Sequence, residues 1–587
     1  MESMGTNKNK QGTIATPHIG SPRRGEVLLV LLPFWSSLIP PMGITCLKTF
    51  LQPYGFKVKT EDANVHPGFR EVYDNYLKTL EGFIPPGKKG NFYNTAVTVL
   101  RKHLMAHLNH TNENRRRYRE LIKIVVSSIF FCSIDDAQVN RLVEIVDGFY
   151  TRLESYVLDL LKEEKPTVLG LSVYSDTAPA SLFTFKLAKK TYPHIKTVMG
   201  GGIFTEDLAL GSPNFDFFVE NTPYIDKIIA GEGELLFLKY LKGELPGDQK
   251  VYTLEDIDGQ TVDLDLDIKG IPDFSDFQLN LYPNLGAYTS RSCPFRCSFC
   301  SEGFFWGKYR KKKIPRVVDE LTSLYQKHKN QLFLLCDSLL NPVISELSQA
   351  FIESDLSIYW DGYLRADKPV CDPKNTMQWR RGGFYRARLG LESGSQRLLE
   401  AMGKRILPGQ IREAVSSLAY AGIKTTTYWV IGYPGETGED FQQTLDLIEE
   451  LKDDIYEADC NAFSYFLTGQ VNSEEWAKEN KSRLLYPGEF RELLFFQTWI
   501  LTGEPSREET YRRMNRFSGH CKKLAIPNPY TMQEIYQADE RWKRLHRNAV
   551  PSMVEFQQGK RYIDENKRIG EVVLGKNINA DELDWDF

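Results

Sequence analysis

The sequence lacks any apolar run near the roughly 18–20 residues that cross a bilayer. Its first 25 residues are polar and rich in Gly and Pro, without the apolar stretch of a secretory leader. A membrane span or export is therefore not expected, and a cytoplasmic location is. A charge excess is also missing: 73 Lys and Arg stand against 77 Asp and Glu, a net charge of −4. That balance gives no overall pull toward nucleic acid. The basic runs Arg115–Arg117 and Arg310–Lys313 read as solvated faces. Cysteine is scarce, with nine in the chain. Six of them (Cys46, Cys132, Cys336, Cys371, Cys460 and Cys521) are scattered singly, which argues against a disulfide framework and for a reducing compartment.

What is present is concentrated. The remaining three cysteines, Cys293, Cys297 and Cys300, lie in Arg291-Ser-Cys-Pro-Phe-Arg-Cys-Ser-Phe-Cys300. Thiolates this crowded repel one another unless a metal or cluster takes up their charge or a disulfide forms. A structural zinc site closes with four ligands, and no fourth Cys or His follows before His328. Three thiolates instead leave a [4Fe–4S] cluster one ligand short, with an open iron able to bind a substrate.

At 587 residues the chain calls for more than one domain. Residues 1–24 read as a disordered tail. Residues 25–245 then read as an α/β unit. Glu26–Leu32, Gly55–Lys59, Thr167–Val173, Lys196–Gly202, Phe215–Val219 and Lys227–Ala230 are its strand candidates. A helical insertion over about 66–164 interrupts them, with helices at 70–80, 92–109, 115–130 and 137–163. It carries His103, His107 and His110 along one helix face. Leu104 follows the first of them, where a zinc protease has its general-base Glu, and surface histidines are the expectation. Small residues cluster after the strands, at Pro41 and Gly43, Ser172 to Thr177, Gly200-Gly201-Gly202 and Gly231-Glu232-Gly233. Such loops let a large flat ligand or a phosphate approach the backbone.

Residues 246–280 read as a linker. From Gly286 onward strands and helices alternate six times, the pattern of parallel βα units in a partial (β/α)6 barrel over 281–472. Polar motifs fall at the strand ends, where barrels place their chemistry. Asp337 and Asn341, Arg365 with Asp367, Glu392 with Ser393, and Gly432–Thr437 are the examples. Residues 473–587 read as a helical region, with helices at 490–501, 507–517 and 532–545 and a mobile acidic tail at 581–587.

The cysteine spacing, with Phe299 just before the last thiol, resembles the motif of radical S-adenosylmethionine (SAM) enzymes. The order of glycine-rich loops before it resembles the cobalamin-binding domain of one large class in that family. The resemblance implies a fold: a Rossmann-like cobalamin-binding domain with a helical insertion, a radical SAM partial barrel and a helical C-terminal region. It implies three cofactors, a [4Fe–4S] cluster, S-adenosyl-L-methionine and cobalamin (B12). Cys293, Cys297 and Cys300 would be the metal ligands. Phe299, Asp337, Arg365, Glu392 and Ser393 would serve the SAM side. Pro41, Gly43, Ser172, Thr177, Gly200, Gly201, Gly202, Gly231, Glu232 and Gly233 would surround the corrin. A reducing partner such as flavodoxin or ferredoxin is implied, with a small molecule or peptide as substrate.

Two departures from the family pattern stand out. The Asp-x-His-x-x-Gly motif that ligates cobalt elsewhere is replaced by Asp62-Ala-Asn-Val-His66-Pro-Gly68, so cobalt is expected to lack a protein histidine. After the sixth strand, Leu467–Asn472 replaces a Pro-Gly-Thr turn, and a changed substrate pocket is expected there. The activity implied is methyl transfer to an unactivated carbon. Ring formation, ring rearrangement or epimerisation without methyl transfer is the alternative, and Cys336, Cys371, Cys460 and Cys521 are its candidate hydrogen donors. Core packing is the competing role of Cys336 and Cys460. A non-catalytic corrin or iron–sulfur sensor is a third possibility. A methylthiotransferase is disfavoured, because Cys46 and Cys132 cannot supply its additional cysteine triad.

Overall fold

The computed structural model describes residues 26–257, 266–354, 356–479, 481–529, 531–553 and 555. The tails expected at 1–24 and 581–587 lie outside this range. Two six-stranded parallel sheets organise the rest.

The first sheet has the order β2-β1-β3-β4-β5-β6. Its strands are β1 (Val27–Leu31), β2 (Val58–Asp62), β3 (Val168–Ser172), β4 (Lys196–Gly200), β5 (Lys227–Ile229) and β6 (Val251–Tyr252). β1 is buried along its whole length, as a central parallel strand with both faces covered should be. Leu28 and Val30 pack on one face, with the insertion helices. Val27, Leu29 and Leu31 pack on the other, against α1 (Met42–Leu51) and α8 (Gly233–Lys242). β6 is drawn from the stretch expected to be a linker, which therefore completes this sheet.

The insertion comprises α2 (Pro67–Phe83), α3 (Phe92–Asn109), α4 (Arg115–Phe130) and α5 (Asp136–Glu164). Its apolar faces share one core with the first sheet and with residues 486–496. The helices α6 (Ala178–Thr191) and α7 (Pro213–Asn221) follow. α7 corrects the expected strand at Phe215–Val219. Pro213 occupies the first turn and the Ser212 hydroxyl accepts from the Phe215 amide, so a helix start outweighs a β-prone run.

The second sheet, β14-β13-β12-β11-β10-β7, is the six-unit partial barrel. Its strands are β7 (Leu285–Ala287), β10 (Leu332–Leu335), β11 (Tyr359–Leu364), β12 (Phe384–Glu392), β13 (Lys424–Ile431) and β14 (Glu457–Ala462). Between β7 and β10 lies a small antiparallel pair, β8 (Ser290–Arg291) and β9 (Arg310–Lys311). The open edge at β14 is covered. Asn91 and Asn94 donate to the Asp459 carboxylate, and Met514, Phe517 and Cys521 of helix Arg507–Lys523 join the barrel core. The helix expected at 490–501 stops after Leu494. Trp499–Leu501 instead pairs with Ser482–Leu484.

The two units pack closely. A side chain at Gly286 on β7 would stand 2.5 Å from the Met42 sulfur on α1. Lys48 on α1 pairs with Asp276 at 2.8 Å, and the Tyr282 hydroxyl donates to Asp62 at 2.8 Å. No helix among the described residues is long and apolar enough to cross a membrane.

Candidate active site

The cysteine loop spans 292–309 and is closed at its base by the β8–β9 pair, in which Arg291 sits opposite Arg310. Its interior is fixed by backbone bonds. The Ser298 amide donates to the Met402 carbonyl at 2.9 Å, and the Cys300 amide to the Cys297 carbonyl at 3.0 Å. The loop after β14 reaches back to it. Gln470 donates to the Phe299 carbonyl at 3.0 Å and the Asn472 amide to the Ser298 carbonyl at 3.0 Å. The Leu467–Asn472 departure thus buttresses the cysteine loop. Phe299 packs with the cluster of Leu398, Met402, Tyr433 and Trp476.

Cys293, Cys297 and Cys300 are partly buried and in no disulfide. Burial pushes the Cys300 thiol up to about 11, with further contributions from Glu302, Cys297 and Cys293. Burial likewise raises Cys293, with Cys297 adding to it and Lys404 and Arg365 opposing it. The thiols are close enough to oppose each other's ionisation. Yet no three His, Cys, Asp or Glu side chains among the described residues converge as ligands of one metal ion.

Beside the loop stand two cations. Arg365 lies 3.9 Å from the Phe295 ring centroid and donates through Nε to Asp367 at 2.9 Å. Its Nη2 donates to the Lys404 carbonyl. Its Nη1 is buried without a hydrogen-bond partner. A guanidinium nitrogen left so costs stability unless a ligand completes it, and an anionic group such as a carboxylate would do so. Lys404 donates to Glu392 at 2.6 Å. Burial works against the Lys404 cation, but Glu392 and Cys297 hold its pKa above the usual lysine range. Glu392 sits at a register shift between β12 and β13, at φ +66°. A bulge of this kind re-aims a side chain. A Cβ at Gly390 would lie 2.6 Å from the Glu392 carboxylate and would displace it from this position.

Two expected SAM-side residues play other parts. Asp337 is 1% exposed and accepts from the Thr289 amide at 2.9 Å, the Thr289 hydroxyl at 2.6 Å and the Ser290 hydroxyl at 2.5 Å. It staples β10 to the segment leading into the cysteines. Ser393 is buried and accepts from the Ser395 amide, and it is Ser395 that caps the following helix.

Between the sheets lies a mostly apolar cavity of about 400 Å³, within a cleft of about 1650 Å³. From the α/β side it is lined by Pro41, Gly43, Ser172, Gly200, Gly201, Gly202, Gly231, Glu232 and Gly233, all expected from the sequence. Thr177 is not among them. It is fully buried and its hydroxyl accepts from the Tyr174 amide. Gly201 has φ +113°, and a Cβ there would fall 2.4 Å from the Val173 backbone. Bare backbone at this cradle fits a broad flat ligand such as a corrin. Among the described residues, no histidine lines the cavity. His66 is spent instead on capping α2, where Nδ1 accepts from the Gly68 amide.

Sequence reasoning missed most of the barrel side of this cavity, Tyr288, Ser290, Arg291, Trp306 and Ser338, and named only Cys336, as a candidate hydrogen donor. Cys336 does not lie within a packed strand. It follows β10 and is exposed into the cavity. Burial, and then Asp337, raise its pKa strongly, so it stays a protonated thiol. Its position one residue past β10 was the available signal. Cys460 and Cys521 are buried in the barrel core. The histidine line does not form a surface. His103 is fully buried between the Tyr76 hydroxyl at 2.9 Å and the Tyr118 hydroxyl at 2.7 Å. Burial lowers its pKa to about 3.

A parallel partial barrel with three thiols on its first loop, behind an α/β sheet whose loops face the same cavity, is the layout of a radical SAM protein with a preceding cofactor domain. Residues 288–448 match the Radical SAM superfamily. It is 27% identical over 334 residues to the anaerobic magnesium-protoporphyrin IX monomethyl ester cyclase of Rubrivivax gelatinosus, covering 51% of this chain and 57% of that protein. It is 28% identical over 331 residues to an uncharacterised methyltransferase of Pyrococcus horikoshii, covering 53% of this chain and 70% of that protein. The chain thus spans little more than half the length of the first of these relatives. Among solved structures it shares the fold of the radical SAM methyltransferase TsrM from Kitasatospora setae with cobalamin and a [4Fe–4S] cluster bound. The TM-score is 0.54 at 14% identity, over 93% of this chain and 99% of that one.

Proposed function

We propose that this chain is a cobalamin-dependent radical SAM enzyme that transfers a methyl group to an unactivated carbon. The observation that carries the reading is the shared cavity. Glycine-rich strand ends of one sheet face barrel residues that lead directly into Cys293. The methyltransferases among its relatives and structural neighbours support the same reading.

Cys293, Cys297 and Cys300 would hold a [4Fe–4S] cluster, which when bound supplies the electron for reductive cleavage of SAM. The unpaired Arg365 Nη1 would receive the carboxylate of SAM by a charge-assisted bond. Glu392, held by Lys404, offers a carboxylate to the SAM ammonium or ribose hydroxyls, and Phe299 an apolar surface to the adenine. The glycines at 200–202, 231 and 233, with Pro41, Gly43 and Ser172, would admit a corrin, which when bound supplies a cobalt centre able to carry methyl. The chain's own work is positioning and exclusion of water. Arg365 and Glu392 are both less than a tenth exposed. Electrons would come from a flavodoxin or ferredoxin in a reducing, cytoplasmic setting, and the substrate would be a small molecule or peptide.

A second reading, radical chemistry without methyl transfer, rests on Cys336. A protonated thiol facing the cavity can return a hydrogen atom to a carbon radical. Anaerobic reconstitution with iron and sulfide, with and without hydroxocobalamin, separates the two. Methyl transfer predicts 5′-deoxyadenosine from SAM in the reconstituted protein, and S-adenosylhomocysteine only when cobalamin is present. 5′-Deoxyadenosine alone under both conditions favours the Cys336 reading. Intact SAM in a fully reconstituted, reduced sample overturns both.

A further inference from the structure

Glu232 was expected among the corrin contacts, and it does line the cavity. Its carboxylate, however, is engaged elsewhere. One oxygen receives Arg291 Nη1, and the other receives Arg310 Nη2 at 2.8 Å. Arg291 and Arg310 are not neighbours in sequence. They are the facing residues of the β8–β9 pair, the two posts between which the cysteine loop is hung. A single carboxylate from the α/β domain therefore grips both ends of the loop that carries the three thiols. Glu234 adds a second hold, accepting from Arg291 Nη2 at 2.6 Å. Trp306, within the loop, packs its ring 4.8 Å from the Arg291 guanidinium.

The network is well buried. Arg291 is 7% exposed, and Glu232 and Glu234 are each 4% exposed. Burial alone would disfavour the Arg291 cation, and the flanking glutamates and Tyr288 overcome it. Breaking one member of such a group leaves the rest charged and unpaired, which costs more than an exposed pair would. The other face of the same short segment is bare glycine: Gly231 at φ +122° and Gly233 both border the cavity. The whole segment Gly231–Glu234 borders the cavity, and its two carboxylates also hold the base of the cysteine loop.

We propose that Glu232 is a positioning residue that acts across the domain boundary. It couples occupancy of the interdomain cavity to the conformation of loop 292–309. A ligand that settles against Gly231 and Gly233 fixes the Glu232 backbone, which fixes Arg291 and Arg310, which fixes the loop that bears the thiols. By linkage the coupling runs both ways, so an ordered loop also favours ligand in the cavity. This rests on the reading that the cavity takes a corrin, and hydroxocobalamin is the probe.

The test is hydrogen exchange of peptides covering 292–309 in the full-length protein, with and without hydroxocobalamin. Glu232→Gln and the less buried Arg310→Gln are compared with wild type. In wild type the probe slows exchange in the loop. In either variant, exchange in the unliganded loop quickens by roughly tenfold or more. Arg310→Gln, which lies outside the cavity lining, still binds the probe, followed by its visible spectrum, but the slowing is lost. Exchange in β12 and β13 stays as in wild type, which separates a loosened clamp from a misfolded barrel. If wild type fails to bind hydroxocobalamin, the corrin reading fails, and the unliganded comparison still decides the clamp. Loop exchange unchanged in a folded Arg310→Gln protein, or full probe-induced slowing retained in both variants, overturns the proposal.

Discussion

The two parallel sheets end at the same cavity, but they prepare their ends in opposite ways. The α/β sheet ends in bare backbone: Gly43, Gly200 to Gly202, Gly231 and Gly233. The barrel's loops carry charged side chains held by partners: Arg291, which lines the cavity, by Glu232 and Glu234, and, outside that lining, Arg365 by Asp367 and Glu392 by Lys404. Bare backbone admits a broad ligand by close approach and gains little from any single contact. Paired charges in a buried site orient a small polar ligand and lose heavily when one partner goes. The division suggests that the α/β side recognises shape and the barrel side recognises charge.

Reciprocal substitutions test that division with the largest expected effects. Cys297→Ala should abolish SAM cleavage while leaving hydroxocobalamin binding within about twofold of wild type. Gly201→Val should do the reverse. A side chain there meets the Val173 backbone at 2.4 Å, in a backbone conformation that side chains rarely adopt. Overpacking and strain together should weaken hydroxocobalamin binding by about 100-fold or more. Iron content and 5′-deoxyadenosine formation should persist. Loss of both activities in both variants would show that the two sides are not separable in this way.

A smaller effect is expected at Glu392. Glu392→Gln removes a charge-assisted bond and leaves the Lys404 cation buried without its partner. SAM affinity should fall by about 10- to 100-fold, read by equilibrium binding to the reconstituted protein. Cobalamin affinity should not move. An unchanged SAM affinity would remove Glu392 from the site.

The smallest effect concerns how the insertion closes the barrel edge. Burial, and then Glu457, push the Asp459 carboxyl up to about 6. A carboxyl whose pKa is higher folded than unfolded stabilises the folded state fully below its unfolded pKa, near 4. That contribution is lost as pH rises through about 6. The contact of α3 with β14 should therefore loosen between pH 4 and pH 7. Asp459→Asn should flatten the dependence. Urea unfolding midpoints across that range, together with hydrogen exchange in α3, check it. A wild-type profile as flat as the variant's would refute it.

Much of the frame was legible because it is written in short-range patterns. The six βα alternations follow from local periodicity, and α3 and α4 begin and end where their apolar spacing does. The glycine loops were legible because backbone approach has few other solutions. What escaped reading depends on distant partners. Asp337 looks like a ligand at a strand end, but Thr289 and Ser290, nearly fifty residues earlier, consume its oxygens. The β8–β9 pair is two residues long on each side, too short for any periodicity, so the facing of Arg291 and Arg310 could not be foreseen. His103 sits on a helix face that resembles a surface until Tyr76 and Tyr118, from two other helices, cover it. Cys336, weighed as a hydrogen donor against core packing, follows β10, which ends at Leu335, and lines the cavity.

The central claim is that one cavity joins the glycine-lined sheet to the cysteine loop. Electron paramagnetic resonance of protein loaded with both cob(II)alamin and a reduced [4Fe–4S] cluster tests it most directly. The account predicts dipolar broadening and faster relaxation of the cob(II)alamin signal, both absent in Cys297→Ala protein loaded with cob(II)alamin alone. A cob(II)alamin signal identical in wild type and variant, with both centres verified as present in wild type, would contradict it.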